Sequence, residues 1–293
     1  MTPSTVPSPM APPALAGALP TFIVIGGMKC GTTSLYNYLR LHPEIGMPSQ
    51  KELAFYAKEW NWDRGVDWYR RQFDAATRIR GEASPQYTCY PRYDAVPERM
   101  HALVPEAKLI YLVRDPIDRL VSQYCHSLAN GSETRAFTDA VLDPAKSYLR
   151  QSRYWYQIER YLAYYDRDAI LVVEQDDLRT HRRETLRRVF AFVGADPEVW
   201  DARFGFEWHR TSRKRRRTAL GHRIAASWPM QQVNRLPAPY RWFIRDAVLY
   251  PVSRAFSKPE VSPDLRARLV EELADDAALF REFTGQDFAH WSF

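Results

Sequence analysis

The chain is predicted to be an α/β domain with a central parallel sheet flanked by helices. Three observations predict this. Short, wholly apolar runs recur at Phe22–Gly27, at 108–113 ("KLIYLV") and at 169–173 ("AILVV"). Such runs suit strands buried on both faces of a sheet. Stretches of helical periodicity follow these strands, and alternation of that kind implies parallel pairing with right-handed crossovers. With 293 residues, 45% apolar and 14% aromatic, the chain can bury a large core.

The elements follow in order. The first twenty residues, rich in Pro, Ala and Ser, lack a basic start and a continuous apolar run, so they are expected to be a floppy leader rather than a signal peptide. One domain is expected over 21–293. Its first strand, Phe22–Gly27, ends in glycines. A helix over Thr32–Leu41 carries Leu35, Tyr38 and Leu39 at helical spacing and stops at His42-Pro43. "IRG" at 79–81 reads as a short strand. After the 108–113 strand, 118–129 places Leu120, Val121, Tyr124 and Leu128 on one helical face. An aromatic helix over Tyr154–Tyr165 precedes the 169–173 strand, and a helix over Arg183–Val193 follows it, ended by Gly194. A basic, aromatic-rich excursion occupies about 205–260. Ser262 then caps a final helix with Pro263 in its first turn, and Gly285 ends it.

In a parallel sheet, ligands bind at the carboxyl ends of the strands. "GGMKCGTTS" at 26–34 lies at such an end. Glycines before a helix N-terminus expose backbone N–H groups to an oxyanion, and the helix dipole adds positive charge. The Gly26-to-Gly31 spacing fits a P-loop-like turn. A nucleoside triphosphate loop, however, carries lysine just after its second glycine, and here that residue is Thr32. The lysine is Lys29, inside the loop, placed to reach a 5′ group rather than to run along a triphosphate. A small-molecule kinase using ATP is therefore the weaker alternative.

"FIVIGGMKCGTTSLYNYLRLHPEI", 22–45, resembles the 5′-phosphosulfate loop of sulfotransferases that use 3′-phosphoadenosine 5′-phosphosulfate (PAPS). It is most like the heparan sulfate N- and 3-O-sulfotransferase type and its bacterial relatives. The resemblance implies that Lys29 contacts the phosphosulfate, with Cys30, Gly31, Thr32, Thr33 and Ser34 holding the 5′ group. Three further segments follow in the family's order. "KELAFY", 51–56, is similar to the segment whose glutamate is the general base, here Glu52; alone, Lys51-Glu52 would read as a solvated pair. "IRGEASPQY", 79–87, matches at Glu82, Ser84, Pro85 and Tyr87. Ala83 and Ala54 stand where the glycan enzymes carry a lysine and a histidine that serve the acceptor. "IYLVRDPIDRLVSQY", 110–124, resembles the 3′-phosphate strand–turn–helix, with Arg114 and Ser122 as its ligands. Asp115 could pair with Arg114 or cap the next helix, and Arg119 reads as solvated or locally paired.

The resemblance implies three further things. Tyr154 could lie against the cofactor, or simply pack like Tyr156, Tyr161 and Tyr164. The basic run Ser212, Arg213, Lys214, Arg215 matches a loop that closes over the phosphates, although such a run also suits nucleic acid or anionic lipid. The cofactor is PAPS, the product adenosine 3′,5′-bisphosphate, and no metal is expected, which leaves Glu174, Asp176 and Asp177 structural. Net charge of +6 fits an anionic ligand, and the motif order argues for a nucleotide cofactor rather than a nucleic-acid partner. Trp228, Trp242, Phe243 and Tyr250 could pack internally or wall an apolar acceptor. Three scattered cysteines make neither a disulfide framework nor a zinc pattern. With no apolar run of ~20 residues, the expectation is a cytoplasmic, bacterial enzyme without a membrane span. Its acceptor would bear a hydroxyl or an amine.

Overall fold

The computed structural model describes residues 18–206, 215–233, 244 and 247–293. Five strands form one sheet: β1 (Phe22–Gly26), β2 (Ile45–Gly46), β3 (Ile79–Ala83), β4 (Lys108–Val113) and β5 (Ile170–Glu174). Their order is β2-β3-β1-β4-β5, and every pair is parallel. All five residues of β1 are buried, as are the last five of β4, so apolar continuity follows from cover on both faces.

The helices are α1 (Thr32–Leu41), α2 (Gly65–Arg70), α3 (Val96–Leu103), α4 (Pro116–Asn130), α5 (Phe137–Val141), α6 (Tyr154–Ile158), α7 (Gln175–Thr180), α8 (Arg182–Val193), α9 (Ala219–Ala226), α10 (Trp228–Val233) and α11 (Pro263–Thr284). Most starts and stops have local causes. Asp115 caps α4 by accepting from the Asp118 amide, with Pro116 in the first turn. Ser262 does the same for α11. Gly194 and Gly285 take left-handed conformations at the ends of α8 and α11. Leu265, Leu269, Leu273, Ala277 and Phe280 form the buried stripe of α11, which packs on α4 and α6.

The long aromatic helix expected over 154–165 is only five residues, Tyr154–Ile158. Beyond it the chain proceeds in turns. Tyr161 donates its hydroxyl to the Tyr87 carbonyl at 2.7 Å, and Tyr165 donates to that of Val104 at 3.2 Å. These tertiary anchors outweigh the modest helix propensity of aromatic residues. A second, antiparallel sheet pairs β6 (Arg215–Arg217) with β7 (Ser253–Ala255), and β6 runs beside α4.

Because β3 and β4 flank β1 on opposite sides, chain direction reverses around β1. The crevice at the carboxyl ends of these three strands is where such a sheet binds ligands. Close packing also holds β1 against β3 at the opposite, amino end of β1. Phe22 pairs with Gly81 across β1 and β3, and a Cβ on Gly81 would lie 2.2 Å from the Phe22 ring. Gly81→Ala should therefore destabilise the protein by about 1–3 kcal/mol. Gly205→Ala, where a Cβ meets open space, should stay within about 0.5 kcal/mol. Thermal unfolding of both variants checks this contrast.

Candidate active site

The loop after β1 turns on a short bond from the Gly27 amide to the Leu112 carbonyl of β4, at 2.6 Å. Lys29 and Gly31 both take left-handed φ, 69° and 92°, and Gly31 leads directly into α1. The first bonds of α1 run from Ser34 and Leu35 back to the Gly31 carbonyl. The amides of Gly31, Thr32 and Thr33 precede these bonds, so they lie at the positive end of the helix. Cys30 is fully buried beneath the loop, and its amide closes a turn onto the Gly27 carbonyl.

Residues 51–54 lie alongside. Lys51 Nζ donates to Glu52 Oε1 at 2.6 Å and to Thr32 Oγ1 at 3.4 Å, which ties the glutamate to the loop. Gln86 Nε2 donates to the other oxygen, Oε2, at 3.0 Å. Glu52 has φ 65° and Ala54 φ 46°, an uncommon conformation for non-glycine residues. Two bonds from the end of β3 secure it: the Glu52 amide to the Ala83 carbonyl, 3.1 Å, and the Ala54 amide to Ser84 Oγ, 2.9 Å. Burial pushes the Glu52 carboxyl upward. The Lys51 charge and the bonds from Lys51 and Gln86, with help from Lys29, outweigh that and hold it below the ordinary value. Lys51-Glu52 is thus not a freely solvated pair.

Glu82 lies deeper, 1% exposed, and accepts from the hydroxyls of Tyr69, Tyr87 and Ser84 at 2.6–2.7 Å. Burial raises its carboxyl above the ordinary value. Its role is to brace the turn that carries Ser84 and Gln86. Ala54 and Ala83 are buried as well.

Arg114 follows β4 directly. Its Nη2 meets Asp118 Oδ2 at 2.7 Å, so its ion-pair partner is Asp118 and not Asp115. Ser122, 6% exposed, lies two turns along α4. Tyr154 is 1% exposed, below the loop rather than on its open face. Its hydroxyl donates to the Arg114 carbonyl at 2.9 Å, accepts from the Arg114 amide at 3.3 Å and touches Cys30 Sγ at 3.4 Å. It therefore supports the site from behind and offers no free face to a ligand.

Of the two readings of Arg119, local pairing holds in part and solvation does not: it is fully buried, Nε donates to Ser152 Oγ, and Nη2 donates to Gln123 Oε1, one turn along α4, and to the Tyr148 carbonyl. No carboxylate faces it among the described residues, and its Nη1 is without a partner there. Ser212, Arg213 and Lys214 lie outside the described residues. The backbone of Arg215 is the first position of β6. Trp242 and Phe243 also lie outside, while Trp228 and Tyr250 are exposed. Lys51 is Glu52's neighbour in the chain, but its bond to Thr32, and the bond from Gln86 to Glu52, come only with the fold.

Comparison with known proteins now decides the family. The model of the sulfotransferase domain matches residues 19–218. The chain belongs to the sulfotransferase domain family. It is similar to bovine (Bos taurus) bifunctional heparan sulfate N-deacetylase/N-sulfotransferase 2, 31% identical over 201 residues, 61% of this chain and 22% of that protein. It is also similar to human (Homo sapiens) heparan sulfate glucosamine 3-O-sulfotransferase 5, 32% identical over 199 residues, 63% of this chain and 56% of that protein. The chain thus spans from about a fifth to just over half the length of these curated relatives. Among solved structures, a sulfotransferase from Alicyclobacillus acidocaldarius covers 94% of this chain and 100% of its own, at TM-score 0.68 and 25% identity. Mouse sulfotransferase SULT7A1, a structure complexed with PAP, shares the fold at TM-score 0.53 and 14% identity, covering 92% of this chain and 88% of its own.

Tyr154→Phe keeps the ring packed edge-on or tilted among Tyr111, Phe280 and Trp291 but removes the hydroxyl that joins Arg114 to Cys30. It should cost about 1–3 kcal/mol of stability, because the Arg114 amide and carbonyl lose a buried partner. Urea denaturation at equilibrium measures it.

Proposed function

We propose that this sulfotransferase moves a sulfuryl group from PAPS to an acceptor hydroxyl or amine, with Glu52 as base and Lys29 as the cation at the breaking bond. One observation carries the reading: a single ammonium, Lys51, bonds both Glu52 and Thr32, so the carboxylate stands at the edge of the anion-binding loop. The donor set fits such a cofactor. The amides of Gly31, Thr32 and Thr33, the hydroxyls of Thr32, Thr33 and Ser34, and Lys29 suit a 5′-phosphosulfate. Arg114 and Ser122 suit a 3′-phosphate.

PAPS supplies a sulfuryl group already joined to a good leaving phosphate. Glu52 accepts the acceptor's proton as the new S–O or S–N bond forms. Lys29 neutralises charge on the 5′-phosphate as the old S–O bond breaks. The loop, braced by Glu82 and Tyr154, keeps both groups in place, so positioning and electrostatics do most of the work. The relatives named above act on heparan sulfate by their names. Here the methyl groups of Ala54 and Ala83 are buried at the positions where the glycan enzymes carry acceptor-binding side chains, which supports a different acceptor: a small molecule, a lipid or another glycan.

Lys29→Ala and Glu52→Ala should each lower transfer at least about a hundredfold. The Glu52 variant should still bind adenosine 3′,5′-bisphosphate. Transfer of ³⁵S from labelled PAPS to acceptors fractionated from extracts measures the first effect, and calorimetry the second. An active Glu52→Ala enzyme would sink the base assignment.

The pH profile is a separate check. Glu52 is held low, so it stays able to accept a proton below the ordinary carboxylate range, and the acid limb of kcat/KM should lie below that of an ordinary glutamate. Lys51→Met removes the main lowering influence and leaves burial, so the limb should move to higher pH.

A further inference from the structure

The 3′-phosphate reading of Arg114 and Ser122 contains an electrostatic conflict. Asp118 stands on α4 one turn beyond Arg114 and one turn before Ser122, on the same side of the helix. A phosphate held by those two residues meets this carboxylate directly. Arg114 and Asp118 also form a neutral pair, so between them they offer a dianion no net attraction.

Lys258 resolves the conflict. Its Nζ lies 3.2 Å from Asp118 Oδ1, while Arg114 Nη2 lies 2.7 Å from Oδ2. One carboxylate is thus gripped by two cations, one oxygen each. That is the arrangement a phosphate would adopt in its place. Asp118 and Lys258 also border a cavity of about 430 Å³ whose lining includes Ile117, Val121, Glu260 and Arg266 but not Arg114 or Ser122. Lys258 arrives just after β7, which pairs with β6, and β6 runs beside α4. Pro259 stiffens the approach. The residue lies outside the segment 19–218 that matches the family model.

We propose that Lys258 is a third ligand of the 3′-phosphate, and that Asp118 acts as a stand-in anion holding Lys258 and Arg114 together until the nucleotide displaces it. With Lys258 included, the three side chains carry one net positive charge. The Asp118 carboxyl is held below its ordinary value; burial works against this, but the charges of Arg114 and Lys258 prevail. Lys258 is 59% exposed in its side chain, so its replacement should leave folding intact.

The proposal rests on the PAPS reading of the site, and calorimetry with two nucleotides tests them separately. Adenosine 3′,5′-bisphosphate carries the 3′-phosphate, and adenosine 5′-monophosphate lacks it. Lys258→Ala should weaken binding of the bisphosphate about tenfold and leave the monophosphate unchanged. Adding Asp118→Asn should restore much of the loss, because the repelling carboxylate is gone. If the parent protein prefers the bisphosphate and Lys258→Ala leaves that preference intact, or weakens both nucleotides equally, the role of Lys258 is overturned. A parent protein with no preference for the bisphosphate would instead overturn the PAPS reading itself.

Discussion

The candidate site depends on one phenol. The Tyr154 hydroxyl bonds both backbone groups of Arg114 and touches Cys30, so it fixes the end of β4 against the loop after β1. Tyr154 is placed in turn by α6, whose Trp155 and Tyr156 amides donate to Asp276 on α11. Those amides belong to the first turn of a short helix and have no partner within it. Trp291 packs on the Tyr154 ring and donates its indole N–H to Glu174 at the end of β5, while the Ser292 amide donates to Asp115. Much of what holds the phosphate-binding end in place therefore comes from residues 263–293, beyond the segment that matches the family model.

Charge is arranged in the same economical way. Each cation near the crevice that has a described carboxylate partner meets it at a point where a ligand would compete or react: Lys51 at Glu52, Arg114 and Lys258 at Asp118. Such pairs keep long side chains ordered and lower the reorganisation needed when an anion arrives. Arg119 differs. It is buried among neutral acceptors, Ser152, Gln123 and the Tyr148 carbonyl, so its charge is not cancelled locally. A desolvated guanidinium one turn before Ser122 adds to the attraction for an anion at that end of α4. It also ties α4 to the 147–152 segment, since Ser152 Oγ donates to the Pro116 carbonyl.

How much of this was legible depended on whether the cause was local. Strands β1, β3, β4 and β5, the Asp115 and Ser262 caps and the Gly194 and Gly285 stops follow from neighbours in the chain and were readable; the short strands β2, β6 and β7 were not, since pairing with distant partners defines them. Lys29, Thr32 and Arg114 were singled out because a glycine loop and a strand end declare themselves. For Arg119 the local bond to Gln123 was within reach but the burial was not, because nothing nearby in the chain announces that Ser152 and Tyr148 will close over it. The 154–165 segment was misread for the same reason: hydroxyl anchors on Tyr87 and Val104, distant in the chain, break its helix. The bonds from Lys51 to Thr32, from Gln86 to Glu52 and from Lys258 to Asp118 are set by the topology. Lys258 lies 140 residues from its partner Asp118, and no spacing rule reaches that far.

Lys29 itself is then easier to understand. In a triphosphate loop the residue after the second glycine is a lysine, whose chain runs along the phosphates. Here Thr32 occupies that position, and the cation beside it comes from elsewhere: Lys51 Nζ, 3.4 Å from Thr32 Oγ1, held there by Glu52. A lysine rooted at 32 would place its own long chain against the Lys51-Glu52 pair, with two ammonium groups competing for one carboxylate. With the loop's own lysine at 29, where the backbone turns left-handed, the edge beside Thr32 is left to the Lys51-Glu52 pair. On the mechanism proposed above, the displaced lysine and the carboxylate at the loop's edge are two aspects of one constraint: a base needs a place beside the anion that it does not share with the loop's own cation.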